Sequence, residues 1–125
     1  MHKSTEFSRL DRINKVVARH LAVIIQQQMF DPRFTSVNIT QVQVTPDLSE
    51  AKVYFTALIN PDAPDQAKTL TILLNKAQKH LRYRLAQEVD LRRTPKLHFH
   101  YDTKLMEAMR ISDLLSKSEI ENKAP

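Results

Sequence analysis

Basic side chains that could hold phosphate groups are concentrated between Lys76 and Lys96, where seven basic residues stand against two acidic ones. If the first part of this span is a helix, two lysines, a histidine and a tyrosine fall within an arc of about 100°, opposite a stripe of leucines. They are Lys76, Lys79, His80 and Tyr83. Lysine and arginine attract phosphate oxygens, and a tyrosine ring can stack on an unpaired base. An ordinary solvated helix face could look the same, but the scarcity of acidic partners favours a nucleic-acid ligand. The candidate RNA-binding residues are Lys76, Lys79, Arg82, Tyr83, Arg92, Arg93 and Lys96.

A second basic series, Arg9, Arg12, Lys15 and Arg19, lies nearer the N-terminus. Its spacing is typical of the solvated face of an ordinary helix, so we expect it to contribute less to ligand binding. His20 follows on the apolar side of the same segment, where a histidine at the border of the core is expected rather than a catalytic base.

His98, His100 and Asp102 alternate in the sequence, so on a strand all three could project from one side. That spacing would suit a metal-dependent enzyme, but no fourth ligand stands nearby in the sequence, and an exposed sheet face explains the pattern better. No serine or threonine lies in a recognisable nucleophile motif. We therefore expect no metal site, no cofactor and no enzymatic activity.

The chain has no glycine, although average usage near 7% would supply about nine. Glycine-rich loops, which let a backbone approach a phosphate closely, are therefore excluded. Nucleotide hydrolysis and dinucleotide chemistry are excluded with them, and we expect no small-molecule substrate.

A chain of 125 residues with 42% apolar and 26% charged residues has the composition of one globular domain. The net charge is +5, and the basic excess lies in residues 76–110. The longest apolar stretches, such as residues 21–25, fall far short of the ~20 residues that span a bilayer. The absence of cysteine fits a reducing compartment. We expect a monomeric, cytoplasmic protein with no membrane partner.

The first half of the chain predicts a helix followed by a hairpin. Apolar residues at three- and four-residue steps predict a helix from about Ser8 to Gln28, which Asp31-Pro32 ends. Apolar and polar residues alternate over residues 36–45, but the apolar residues change from odd to even positions midway. A bulge near Thr40-Gln41 would let the apolar residues of both halves face the same side. A proline turn at residues 45–49 then leads into a second alternating strand, so the two strands should form a hairpin.

The second half predicts helix, strand and helix. The stripe from Leu70 to Leu85 predicts one continuous helix, and a short strand follows at residues 97–101. Asp102 or Thr103 can cap a last helix that runs to Leu115. The fold class is therefore α+β, with helices on one face of a three-stranded sheet. We expect one domain over residues 1–117 and a polar, disordered C-terminal tail over residues 118–125.

Several motifs in this order resemble the ribosome-binding factor A family over about residues 9–115. They are Asp31-Pro32-Arg33, Val44-Thr45-Pro46-Asp47-Leu48, Ala51-Lys52-Val53-Tyr54, Leu81-Arg82, Leu85-Ala86, Leu91-Arg92-Arg93-Thr94-Pro95-Lys96-Leu97-His98-Phe99, Asp102, and Arg110-Ile111-Ser112-Asp113-Leu114-Leu115. The resemblance implies a KH-like RNA-binding domain of the second type, with a kinked helix pair where other KH domains carry a glycine loop. The kink would fall at Ala77-Gln78-Lys79, where lysine stands in place of the family's usual glycine.

The resemblance also implies a function. It implies an assembly factor that binds the free small (30S) ribosomal subunit near the neck and decoding region of its RNA. The factor would assist late maturation of small-subunit (16S) rRNA, including its 5′ end, and support growth in the cold. Two alternatives stay open at this point, a generic RNA- or DNA-binding module and a metal-dependent enzyme using His98, His100 and Asp102.

Overall fold

The order of helices and strands agrees with the hydropathy pattern. The computed structural model describes residues 2–28, 31–60, 62–63, 65–105 and 107–108. Its elements are α1 (His2–Gln28), a short 3-10 helix (Pro32–Phe34), β1 (Asn38–Val44), β2 (Glu50–Thr56), α2 (Gln66–Lys76), α3 (Gln78–Glu88) and β3 (Lys96–Tyr101). The first helix thus begins at His2 and not near Ser8. No helix in the described ranges is both long and apolar enough to cross a bilayer.

The sheet is mixed, with β2 at its centre. Strand β1 pairs antiparallel with β2, and β3 pairs parallel with β2 on the other side. The predicted bulge is confirmed, because the β1–β2 register skips Thr40 between Ile39 and Gln41. The Thr40 hydroxyl donates a hydrogen bond to the Asp102 carboxylate at 2.7 Å. The bulge therefore turns Val42 and Val44 into the core and ties β1 to the end of β3.

The core lies between the helices and one face of the sheet, as the α+β prediction requires. Val53 and Phe55 of the central strand are fully buried, as are Leu21 of α1, Leu74 of α2 and Leu81 of α3. Burying such a side chain contributes roughly 1.5–3 kcal/mol. This arrangement agrees with the KH-like fold that the family resemblance implies.

The turn between β1 and β2 depends on Asp47 and Leu48. One carboxylate oxygen of Asp47 accepts hydrogen bonds from the Thr45 hydroxyl at 2.8 Å and from the Ser49 amide and hydroxyl at 3.1 and 2.7 Å. Leu48 adopts a φ of 60°, which costs a non-glycine residue roughly 1–2 kcal/mol. Its side chain is buried in the core, and this burial offsets the strain.

The prediction of one continuous helix from Leu70 to Leu85 is wrong, because α2 and α3 are separated at Ala77. Ala77 has φ −84° and ψ −2°, whereas a helical residue has ψ near −42°. Its N–H is shared between the carbonyls of Leu73 and Leu74, at 3.0 and 3.1 Å. These angles are open to any residue, so the break needs no glycine, and the lysine at position 79 does not prevent it. Both helices contact β3, and the leucine stripe cannot reveal a break that preserves its spacing.

Two amides from the helix pair cover the outer edge of β3. The Asn75 side chain accepts from the Phe99 N–H at 2.8 Å and donates to the Phe99 carbonyl at 3.1 Å. On the other side of the break, the Gln78 side chain accepts from the Leu97 N–H at 3.4 Å. Pairing these groups protects an edge strand from pairing with another chain.

The end of β3 leads into a further helical turn. The Leu105 N–H donates to the Asp102 carboxylate at 3.0 Å, which confirms Asp102 as the cap of residues 103–105. The rest of the predicted last helix and the predicted tail at 118–125 lie outside the described residues.

Replacing Asn75 with alanine should lower the free energy of unfolding by about 1–3 kcal/mol. The reason is that the N–H and carbonyl of Phe99 would lose their partners in a partly buried position. Urea denaturation measures the change. The matched control is Lys76→Ala on the neighbouring exposed residue, which should stay within about 0.5 kcal/mol of the parent. Equal stability of the two variants would contradict the role assigned to Asn75.

Candidate nucleic-acid interface

Four of the predicted binding residues lie around the helix break. Lys76 ends α2, Lys79 stands in the first turn of α3, and Arg82 and Tyr83 follow on α3. All four are exposed, and Tyr83 keeps 62% of its surface open to solvent. Lys76 and Lys79 are therefore exposed cations beside the helix break, where they could reach phosphate oxygens without disturbing the core.

Arg82 also has a positioning role that the sequence did not indicate. Its guanidinium donates through Nε and Nη2 to the carbonyl of Thr94, at 3.0 and 2.9 Å. This contact joins α3 to the connection that carries Arg92 and Arg93. Replacing Arg82 would therefore remove a cation and also release the segment that holds two more.

Arg92 and Arg93 lie beside the β1–β2 turn. Together with Arg9 they line a cleft of about 330 Å³. The remaining lining residues are Pro46, Asp47 and Leu48. The spacing of Arg9 predicts a position on an ordinary solvated face, but folding groups it with cations more than eighty positions away. No spacing rule detects a contact of that kind, so this member of the basic surface was missed.

Among the residues that the structure describes, Asp47 is the one carboxylate that lines this basic cleft. Hydrogen bonds from the Ser49 hydroxyl, from the Thr45 hydroxyl and from the Ser49 N–H lower the pKa of Asp47 to about 2, and the charge of Arg93 adds a smaller contribution. Asp47 therefore stays ionised at neutral pH. Its negative charge lowers the positive potential of the cleft that Arg9, Arg92 and Arg93 line.

Lys96 belongs to a different, larger cleft of about 700 Å³ along the edge of β3. Asn75 and Gln78 line the same cleft, and they are the sequence neighbours of Lys76 and Lys79. The predicted site is therefore two groups of cations. One group surrounds the helix break and the start of β3, the other adjoins the β1–β2 turn, and Arg82 connects them through Thr94.

The residues of the alternative metal site do not converge. His98 and His100 lie on strand β3, where the His98 Nε2 is 3.4 Å from a Glu50 carboxylate oxygen. Asp102 instead bonds Thr40 and the Leu105 N–H. Within the part of the chain that the structure describes, no group of three histidine or carboxylate side chains could hold a metal ion.

The first basic series is mostly exposed along α1. Lys15 forms an ion pair with Asp11 at 3.2 Å, one helical turn away. His20 is half-buried, with its Nδ1 3.3 Å from a Glu88 carboxylate oxygen of α3. It thus lies at the border of the core, as expected, in the contact between the first and third helices.

Comparison with known proteins gives consistent matches. The family model described as "Ribosome-binding factor A" matches residues 9–115. The protein named ribosome-binding factor A in Ectopseudomonas mendocina is 37% identical to this chain, and the match covers 94% of this chain and 92% of the relative. The protein of that name in a Marinomonas species is 40% identical, with coverages of 90% and 88%.

Solved structures show the same likeness. The crystal structure of ribosome-binding factor A from Thermus thermophilus matches with a TM-score of 0.64 and 27% identity, over 74% of this chain and 94% of that one. A homology model of the Thermus thermophilus factor, fitted into a cryo-EM map of a 30S complex, matches with a TM-score of 0.56 and 28% identity. That match covers 70% of this chain and 89% of the other.

Replacing Asp47 with alanine should lower the free energy of unfolding at neutral pH, and the loss should shrink in acid. Because the pKa falls from 3.8 to about 2 on folding, the ionised carboxylate stabilises the fold above pH 3.8, and this contribution disappears as the pH falls through about 2. Chemical denaturation across this pH range measures it. Asp62→Ala, at an exposed position in the connector, is the control. A loss from Asp47→Ala that is independent of pH would contradict this assignment.

Proposed function

The chain belongs to the ribosome-binding factor A family, and we propose that it binds the free small ribosomal subunit through its RNA and assists late maturation of that RNA. The family match over residues 9–115 carries this proposal. The 30S complex of the Thermus thermophilus factor supports it, because that factor shares the fold. The two groups of exposed cations supply the chemistry that a phosphate backbone would recognise.

The mechanism we propose is binding and not catalysis. A protein that binds one arrangement of the RNA more tightly than others increases the population of that arrangement. For maturation, the favoured arrangement would be the folded RNA of the neck and decoding region, in which the 5′ end can be processed. Since phosphate contacts dominate such binding, affinity should fall steeply with salt. The protein would act in the cytoplasm as a monomer, without a cofactor.

A generic nucleic-acid module is the second candidate, because the same cations would attract any phosphate backbone. Cosedimentation separates the two. A maturation factor should travel with free small subunits and should leave bulk RNA and assembled ribosomes unbound. Equal binding to bulk RNA at the same salt concentration would favour the generic module.

Deleting the gene should leave an excess of free small subunits and of small-subunit RNA with an unprocessed 5′ end. The effect should be stronger in the cold, because misfolded RNA escapes its traps slowly at low temperature. Sucrose-gradient profiles and primer extension at two growth temperatures measure both quantities. A normal profile in cold-grown deletion cells would contradict the proposed role in maturation.

Neutralising the cations at the helix break, as Lys76→Gln with Lys79→Gln, should weaken subunit binding and reduce its salt dependence. If each lysine makes one phosphate contact, the slope of log affinity against log salt should flatten by roughly 1.4–1.8 units. Charge reversal to glutamate should weaken binding further. Cosedimentation across a salt series measures the slope, and thermal melts verify that the variants are folded.

The matched control for this pair is Arg12→Gln with Arg19→Gln, two exposed cations on α1. Lys15 is unsuitable because it is ion-paired with Asp11, and Arg9 because it lines the cleft with Arg92 and Arg93. Arg82 is tested apart, since its replacement also breaks the contact with Thr94. If the α1 pair loses binding while the pair at the break retains it, the interface has been placed on the wrong side of the protein.

A further inference from the structure

The face of the sheet that points away from the helices is a regular grid of polar side chains. Alternation sends Val53, Phe55, Leu97 and Phe99 into the core, so the residues between them point outward. The strand register aligns them in rows across the sheet. The first row is Gln41, Tyr54 and His100, the second is Gln43, Lys52 and His98, and the third contains Glu50 and Lys96.

The first row contains two aromatic rings side by side. The Tyr54 and His100 rings have centroids 5.6 Å apart and are tilted by 33°. His100 is exposed and Tyr54 is half-buried. Neighbouring aromatic rings on an open sheet are a surface on which unpaired bases stack, and this stacking accepts any base because every base has a π-face.

The second and third rows supply groups that suit the rest of a nucleotide. Lys52 and Lys96 are exposed cations, and the one acidic member of the grid, Glu50, is approached by the His98 imidazole at 3.4 Å. The side-chain amides of Gln41 and Gln43 can both donate to and accept from the edge of a base. The rows contain no aliphatic side chain, so they offer little of the apolar core that a protein partner would need.

Two clefts extend this surface, one beside Tyr54 and one beside His100. A cleft of about 200 Å³ is lined by Gln41, Gln43 and Tyr54 at the end of the sheet. The cleft of about 700 Å³ is lined by Lys52 and His100 and also by Gln78 at the helix break. It therefore continues from the open face, around the edge of β3, to the basic residues of the proposed interface.

We propose that the open face of the sheet is a second RNA-binding site, on which unpaired bases of a single strand stack on Tyr54 and His100 while Lys52 and Lys96 contact the phosphates. This proposal rests on the proposed function, because the single-stranded RNA would be an unpaired segment of immature ribosomal RNA. It adds contacts to bases, which the cations of the helix break do not provide. Tyr54, and not only Tyr83, is then a residue that stacks on RNA.

The test measures affinity for a short, unstructured single-stranded RNA of mixed sequence by fluorescence anisotropy. The variant Tyr54→Ala with His100→Ala should bind roughly ten- to a hundred-fold more weakly, as expected for losing one or two stacked bases. The aromatic replacement Tyr54→Phe with His100→Phe should bind within about threefold of the parent, because the platform is preserved. Thr56→Ala, on the same face of β2, is the control and should leave affinity unchanged.

Salt and competition separate stacking from attraction to phosphate. The alanine variant should shift log affinity equally at all salt concentrations, whereas Lys76→Gln with Lys79→Gln should change the slope. A blunt duplex of the same sequence should compete poorly, since its bases are already stacked. Efficient competition by the duplex, or a phenylalanine variant as weak as the alanine variant, would overturn the proposal.

The remaining outcomes identify other occupants of the face. If the alanine variant binds RNA like the parent but shifts the NMR signals of residues after Ala108, the face holds the chain's own C-terminal segment, and the proposal is wrong. If the alanine variant no longer binds subunits but binds single-stranded RNA like the parent, a ribosomal protein occupies the face, and the proposal is also wrong. If only the Lys76→Gln, Lys79→Gln variant loses binding, both to subunits and to single-stranded RNA, the proposed function stands and the sheet-face site is refuted.

Discussion

The attachment of the helix pair to the outer edge of β3 is the constraint on which the placement of the basic residues depends. Asn75 holds both backbone groups of Phe99, and Gln78 holds the N–H of Leu97. These amides lie on either side of Ala77, so each helix is fixed to the strand independently. Lys76 and Lys79 follow the amides in sequence, and their positions are therefore set by an edge strand whose backbone groups need partners.

The sequence was sufficient for elements whose pattern is local. The change of parity between Ile39 and Val42 required a bulge, and the register skips Thr40 as predicted. The break at Ala77 was not predictable from the stripe, because Leu74 and Leu81 stay buried on the same side and the angles of Ala77 need neither glycine nor proline. The family resemblance implies a kink at Ala77-Gln78-Lys79, and the break lies at Ala77.

The candidate site was predictable only in part, for a similar reason. The positions of the basic residues in the sequence identify the candidate cations. Which of them lie together in the folded protein depends on contacts between distant parts of the chain. The basic cluster predicts Arg82 as a phosphate ligand, and the structure shows that Arg82 also donates to the carbonyl of Thr94. Arg9 joins Arg92 and Arg93 only after folding. The neighbouring rings of Tyr54 and His100 likewise arise from the pairing of β2 with β3, which joins segments more than forty residues apart.

The left-handed backbone at Leu48 has a consequence for the unfolded protein. Glycine is the usual residue at a positive φ. It avoids strain in the folded state, but it loses more conformational entropy on folding than any other residue. Here leucine takes the position in a chain without any glycine. The unfolded chain therefore loses less conformational entropy at this position than it would with glycine, whereas the folded turn is strained. Burial of the Leu48 side chain offsets that strain. The chain begins folding from a narrower ensemble than its length alone would give.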